Sequence, residues 1–203
     1  MLRGLLLFFL FFSKQALMQN SNSFFEKGKL EFELGNYTLA IENFEKCTQT
    51  SLWIKDLNYY TGMAAYNLKE YEKAIFYFTN ELKHNKKNQK AYLFRALSKG
   101  RIGMYRKALR DFRKAVRLNR ENSLVYYERG NLKFELKKYK KAIKDYKKTL
   151  QIRQGFEDAY YKIGFCKYYL KDSLAACENW SKIKELDDFE NFELIEKTCK
   201  INN

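Results

Sequence analysis

From Ser21 to Glu190 the apolar residues recur at helical spacing, in stretches that come in pairs. In one pair, Tyr126, Gly130, Leu132 and Phe134 form the first stretch and Tyr139, Ala142, Ile143 and Tyr146 the second. Such spacing collects the apolar side chains on one side of a helix and leaves the polar ones on the other. A break separates the two stretches, so each pair predicts a helical hairpin, helix A followed by helix B.

The hairpins repeat with a period of 34 residues and no insertion, giving five copies. A small residue recurs as Gly28, Gly62, Ala96, Gly130 and Gly164, and twelve positions later stands Ala40, Ala74, Ala108, Ala142 and Ala176. Four positions after each alanine is an aromatic: Phe44, Phe78, Phe112, Tyr146 and Trp180. Tyrosine precedes the alanine by three at Tyr37, Tyr71, Tyr105 and Tyr139, with Ser173 breaking the series. Where two helices cross closely, a side chain larger than a methyl would push their axes apart, so these ten small positions are expected to be structural, glycine on A opposite alanine on B.

This pattern resembles the tetratricopeptide repeat family, and the resemblance extends over about five sixths of the chain. It implies an all-α fold, an α-solenoid wound as a right-handed superhelix from five helix-turn-helix repeats at 21–54, 55–88, 89–122, 123–156 and 157–190. Residues 191–203 continue with Phe192, Leu194, Ile195 and Ile201 and are expected to form a capping helix and tail, because a repeat array exposes an apolar end. Two features depart from the family: proline is absent, and Lys27, Thr61, Arg95 and Arg129 stand where leucine is usual. Asp111 and Asp145 occur in the repeats that carry the two arginines. Arginine and aspartate are therefore expected to pair at helix contacts, within a repeat or between neighbours.

By the family's geometry, helix A residues that point away from B line a concave partner-binding groove. Here they are Phe25, Tyr59, Tyr60, Met63, Tyr66, Phe94, Leu97, Tyr127, Asn131, Phe134, Tyr161, Phe165, Tyr168 and Tyr169. Tyrosine offers a large contact area with a polar tip, which suits a protein or peptide surface. Some family members hold a carboxylate chain end with lysines and asparagines on helix A. The matching positions are Phe25, Lys29, Tyr60, Lys90 and Phe94, of which only the lysines fit, so that activity is not carried over.

Charge changes the picture by concentrating in the middle. The chain carries a formal net charge of +15, with eleven basic against two acidic residues in the third repeat and ten against three in the fourth. Much of it lies on helix B, at Arg106, Lys107, Arg110, Arg113, Lys114 and Arg117, then Lys140, Lys141, Lys144, Lys147 and Lys148. These positions alternate with the apolar ones and are expected to face solvent, either as a solvated surface or as a contact for an acidic protein, anionic lipid or polysaccharide. Nucleic acid is disfavoured by the expected export and by the lack of a recognised nucleic-acid module.

Residues 1–18 have signal-peptide order, with Arg3 before an apolar run from Leu5 to Phe12. Cleavage is expected near Met18 or Gln19, to give a periplasmic or secreted protein; an uncleaved leader would tether it to the membrane. The four cysteines, Cys47, Cys166, Cys177 and Cys199, are too few for a disulfide scaffold, and buried free thiols are expected over pairing. No CxxC spacing, no cluster around His84, no serine nucleophile motif and no glycine-rich phosphate loop is present, so neither catalysis nor a metal or other cofactor is expected. Three functions fit: an adaptor gripping a partner protein in the groove, a binder of anionic surface material through the basic faces, or a structural subunit of an envelope or secretion assembly.

Overall fold

The computed structural model describes residues 20–48, 54–184 and 191–200, and all regular structure among them is helical. The expected signal peptide and the last three residues of the tail lie outside the described residues. Helix α1 covers residues 20–33. It is followed by α2 (Tyr37–Thr48), α3 (Leu57–Asn67), α4 (Tyr71–His84), α5 (Gln89–Arg101) and α6 (Tyr105–Leu118). Then come α7 (Ser123–Glu135), α8 (Tyr139–Ile152), α9 (Glu157–Tyr169), α10 (Ser173–Trp180) and α11 (Phe192–Lys200). Odd-numbered helices up to α9 are the predicted A helices, even-numbered ones up to α10 the B helices, and α11 is the predicted cap.

The small positions on helix A have a more specific cause than the expected opposition to alanine. A Cβ on Gly130 would come 2.6 Å from Cε1 of Tyr146, and one on Gly62 would come 2.8 Å from Cε1 of Phe78. Gly28 stands in the same relation to Phe44, at 2.5 Å, and a Cβ on Gly164 would overlap the Trp180 indole. The helix B ring sixteen positions on occupies the space a side chain would need. Phe44, Phe78, Tyr146 and Trp180 are all buried, as are the repeat alanines beside them.

Each A helix stops by the same device. In the fourth repeat the Lys137 N–H donates to Phe134 O and the Lys138 N–H to Lys133 O, with Lys137 at φ 54°. The equivalent positive-φ residues are Gly35, Lys69, Gly103 and Lys171, again 34 apart, and each is followed by the same reverse hydrogen bond. This is the Schellman closure, in which a left-handed residue turns the chain and satisfies the last carbonyls. Next to it, rings five apart meet edge to face: Phe32 with Tyr37, Tyr66 with Tyr71, and Phe134 with Tyr139, at 5.5, 5.8 and 5.5 Å between centroids. The recurring tyrosine thus staples helix A to helix B across the turn.

The chain divides into two compact halves, up to Asp111 and from Phe112. The first half has one core around Ala40, Phe44, Leu57 and Ala64 and another around Ala74, Phe78, Leu82 and Ala91. In the second, Ala142, Tyr146, Ala159 and Ile163 form one core, and Tyr161, Phe165, Trp180, Ile183 and Ile195 the other. Ile195, with Leu194 and Cys199 beside it, is the part of α11 that packs on the last repeat.

The expected arginine–aspartate pairs exist, and both are internal to a repeat. Arg95 donates through Nε and Nη2 to the two carboxylate oxygens of Asp111 at 2.9 and 2.8 Å, and Arg129 does the same to Asp145 at 2.8 and 2.6 Å. A second cation completes each: Lys99 Nζ lies 2.6 Å from Asp111 Oδ2, and Lys133 Nζ 2.6 Å from Asp145 Oδ2. Both aspartates are buried. Burial lowers the pKa of Lys99 and of Lys133, against the pull of the carboxylate beside each.

Cysteine usage differs from the expectation for one pair. Cys177 of α10 and Cys199 of α11 form a disulfide that ties the cap to the last repeat, while Cys47 and Cys166 are buried free thiols. The Cα atoms of Cys177 and Cys199 stand 5.6 Å apart because α11 packs against α10, a juxtaposition that spacing along the chain does not reveal.

Candidate partner-binding surfaces

Half-buried aromatic side chains run along the A helices of each half. In the first, Tyr60 of α3 meets Phe25 of α1 edge to face at 5.9 Å, Tyr59 leans on Phe78 at 6.2 Å, and Phe94 of α5 stacks on Phe78 at 6.2 Å. Each ring therefore rests on the buried helix B ring and keeps one edge accessible. Met63, Tyr66 and Leu97 lie among them and are also half-buried, although Tyr66 spends part of its surface on the turn contact with Tyr71. Burial pushes the Tyr59 hydroxyl up to about 12.

In the second half Tyr127 packs on Tyr146 at 5.8 Å and on Phe156 at 5.0 Å, and Tyr168 lies against Trp180 at 6.3 Å. Burial raises the Tyr127 hydroxyl to about 12. Five of the expected lining residues have other tasks. Tyr161 and Phe165 are buried, 8% and 6% exposed, in the core that α11 covers, so their side chains do not line a surface. Asn131 accepts a 2.9 Å hydrogen bond from the hydroxyl of Tyr146, a buried phenol that must be satisfied once its ring occupies the space over Gly130. Phe134 packs against Tyr139 and Tyr169 at the turn. Tyr169 is 48% exposed but stacks on helix B Tyr139 with an interplanar angle of 13°, which draws it toward the turn.

All six basic side chains singled out on α6 are exposed, from Arg106 to Arg117. On α8, Lys140, Lys141, Lys144 and Lys147 are exposed and Lys148 is half-buried. Lys99 and Lys133 belong to the buried ion clusters, a role visible in retrospect as lysine four residues after each arginine. Among the described residues, no group of three His, Cys, Asp or Glu side chains is placed to hold a metal ion, and no helix is long and apolar enough to cross a membrane.

Comparison with known proteins places this geometry. Tetratricopeptide repeat profiles match residues 123–156, and also 21–51 and 89–122. No curated protein sequence matches the chain. Among solved structures, a crystal structure of MamA is 21% identical with a TM-score of 0.74, over 85% of this chain and 96% of that one. MamA from Desulfovibrio magneticus RS-1, residue 41 to the end, is 19% identical with a TM-score of 0.77, over 85% and 97%. YrrB, described as a TPR protein with an unusual peptide-binding site, is 17% identical with a TM-score of 0.74, over 90% and 96%. Profile matches on three of the five repeats, the unbroken 34-residue period and the shared fold agree, and the chain belongs to the tetratricopeptide repeat family.

Proposed function

We propose that the protein is a non-enzymatic adaptor that captures a segment of a partner protein on the aromatic faces of its A helices. One observation carries the reading: Tyr59, Tyr60, Tyr127 and Tyr168 each rest on neighbouring rings yet keep part of their surface open. Rings braced in this way lose little freedom on binding, which is what a contact surface requires. The peptide-binding description of YrrB, a protein of the same fold, supports the reading.

The leader pattern of residues 1–18 and the Cys177–Cys199 disulfide support export to an oxidising compartment. Mass measurement of the mature N-terminus tests this, and retention of residues 1–18 would turn the protein into a membrane-tethered one. Exposure of the cations on α6 and α8 favours a second reading, contact with anionic surface material.

The deciding experiment is affinity capture from the native envelope fraction. The parent chain is compared with a Tyr59→Ala, Tyr60→Ala, Tyr127→Ala, Tyr168→Ala variant whose fold is checked by circular dichroism. A partner retained by the parent and lost by the folded variant is the expected result. Equal capture by both overturns the groove.

A further inference from the structure

The second half contains a cleft whose chemistry differs from that of the A-helix faces. It opens between α8 and the α9–α10 turn, has a volume of about 560 Å³, and is lined by Lys140, Lys144 and Lys147 around Ile143 and Leu170, with Lys167 and Asp172 at one side. A recess of about 300 Å³ adjoins it, sharing Lys140 and Leu170 and adding more lysines.

Asp172, the one carboxylate in the lining, is already engaged. It accepts from Lys167 Nζ at 2.7 Å and from the Ala175 N–H at 3.3 Å. Among the described residues no carboxylate lies within ion-pair distance of Lys140, Lys144 or Lys147. These lysines stand at i, i+4 and i+7 on α8, a strip of about 10 Å at 1.5 Å rise per residue. Like charges at such spacing repel and weaken an isolated helix by a few tenths of a kcal/mol per pair. Lys133, one helix away, has Asp145 to offset its charge; these three have nothing of the kind.

We propose that this cleft seats a short acidic peptide segment carrying one aliphatic or aromatic side chain. The carboxylates meet Lys140, Lys144 and Lys147, and the apolar side chain rests on Ile143 and Leu170, which are half-buried at the floor. An extended peptide puts alternate side chains about 7 Å apart on the same side, so two acids fit along the lysine strip while an intervening residue turns to the floor. The floor decides against other anions. A polyphosphate or acidic polysaccharide has no apolar group to cover it, and a planar lipid surface meets protruding side chains rather than a recess. The site lies between α8 and the end of α9, away from the rings of the A-helix reading, and does not rest on that reading, so either can fail alone.

The test is fluorescence anisotropy of the full chain with a labelled nonapeptide of Glu and Asp around a central Leu. Saturable binding is expected at low salt, weakening on the order of tenfold at roughly 0.5 M salt. Binding is lost in the Lys140→Glu, Lys144→Glu, Lys147→Glu variant and weakens with Leu170→Ser or with Gly in place of the peptide's Leu. It survives both the Tyr127→Ala, Tyr168→Ala variant and the equal charge change Arg106→Glu, Lys107→Glu, Arg110→Glu on α6. Single Lys144→Glu serves if the triple variant does not fold. Equal loss on the α6 change, or indifference to the peptide's Leu, overturns the proposal. So does preference for inorganic polyphosphate or for phosphatidylcholine–phosphatidylglycerol vesicles over the peptide.

Discussion

The ring of Tyr146 lies over Gly130 so closely that a single methyl at Gly130 would stand 2.6 Å from the ring edge. The glycine is thus not there for backbone freedom: it sits inside α7, where alanine would ordinarily favour the helix by about 1 kcal/mol.

Gly130→Ala is therefore expected to destabilise, by about 1–3 kcal/mol, since the buried ring must shift to make room. Urea denaturation reads the change, and a raised midpoint would refute the assignment of ring to glycine. Gly130→Leu is expected to cost more.

Asp145→Asn leaves Arg129 and Lys133 facing a neutral group inside the protein, and a loss of about 3–5 kcal/mol is expected for breaking a buried pair. Lys133→Met should cost much less, because Arg129 still holds both carboxylate oxygens. With its folded pKa lowered by burial, Lys133 sheds its proton before the unfolded chain does. Its contribution to stability therefore rises with pH, from that lowered value up to the ordinary 10.5. Stability curves against pH for parent and Lys133→Met should diverge there; parallel curves would remove the lysine from the cluster.

At Lys137, φ is 54°, a region costly for a side chain and free for glycine. Lys137→Gly is expected to stabilise by about 0.5–1 kcal/mol, since relief of strain exceeds the added freedom of the unfolded chain. Gly103→Ala is the reciprocal test: φ is 76°, and nothing lies within 4 Å of the added Cβ, so any loss comes from the backbone alone. Thermal melts that move in the same direction for both changes would contradict the Schellman assignment.

Burial raises Cys47 to about 11 and Cys166 to about 12 from an ordinary 9.0. Native protein at mildly alkaline pH should react with Ellman's reagent at neither, and both should react once it is unfolded. Because the folded values are the higher ones, these thiols contribute full stability below pH 9.0, and that contribution fades as pH climbs toward 11 and 12. Fast reaction of the folded, oxidised chain would show one of them to be accessible. Cys177→Ser is expected to cost about 3 kcal/mol by freeing the loop that the disulfide closes.

The alternation of paired helices was legible because one interval governs both the ring at Tyr146 and the glycine it covers. The arginine–aspartate pairs were legible for the same reason, as departures that recurred together at Arg95 with Asp111 and Arg129 with Asp145. Lys99 and Lys133 carry an equal signal, four residues after each arginine, but a lysine in a basic repeat reads as solvated. The candidate surface was legible only in outline. Periodicity says which face of α9 Tyr161 and Phe165 occupy, but their burial depends on α11, whose approach no repeat encodes. Asn131 read as a polar groove residue because the phenol it serves belongs to another helix. The Cys177–Cys199 bond was hidden for a like reason: it joins a repeat to something that is not one.

That bond has a mechanical consequence. Arrays of stacked hairpins unravel from their ends, where each layer has a neighbour on one side only. Here a machine that pulls from the C-terminal side meets a covalent loop spanning 22 positions before it can peel α10 from α9. Traction from that direction is carried through the sulfur–sulfur bond.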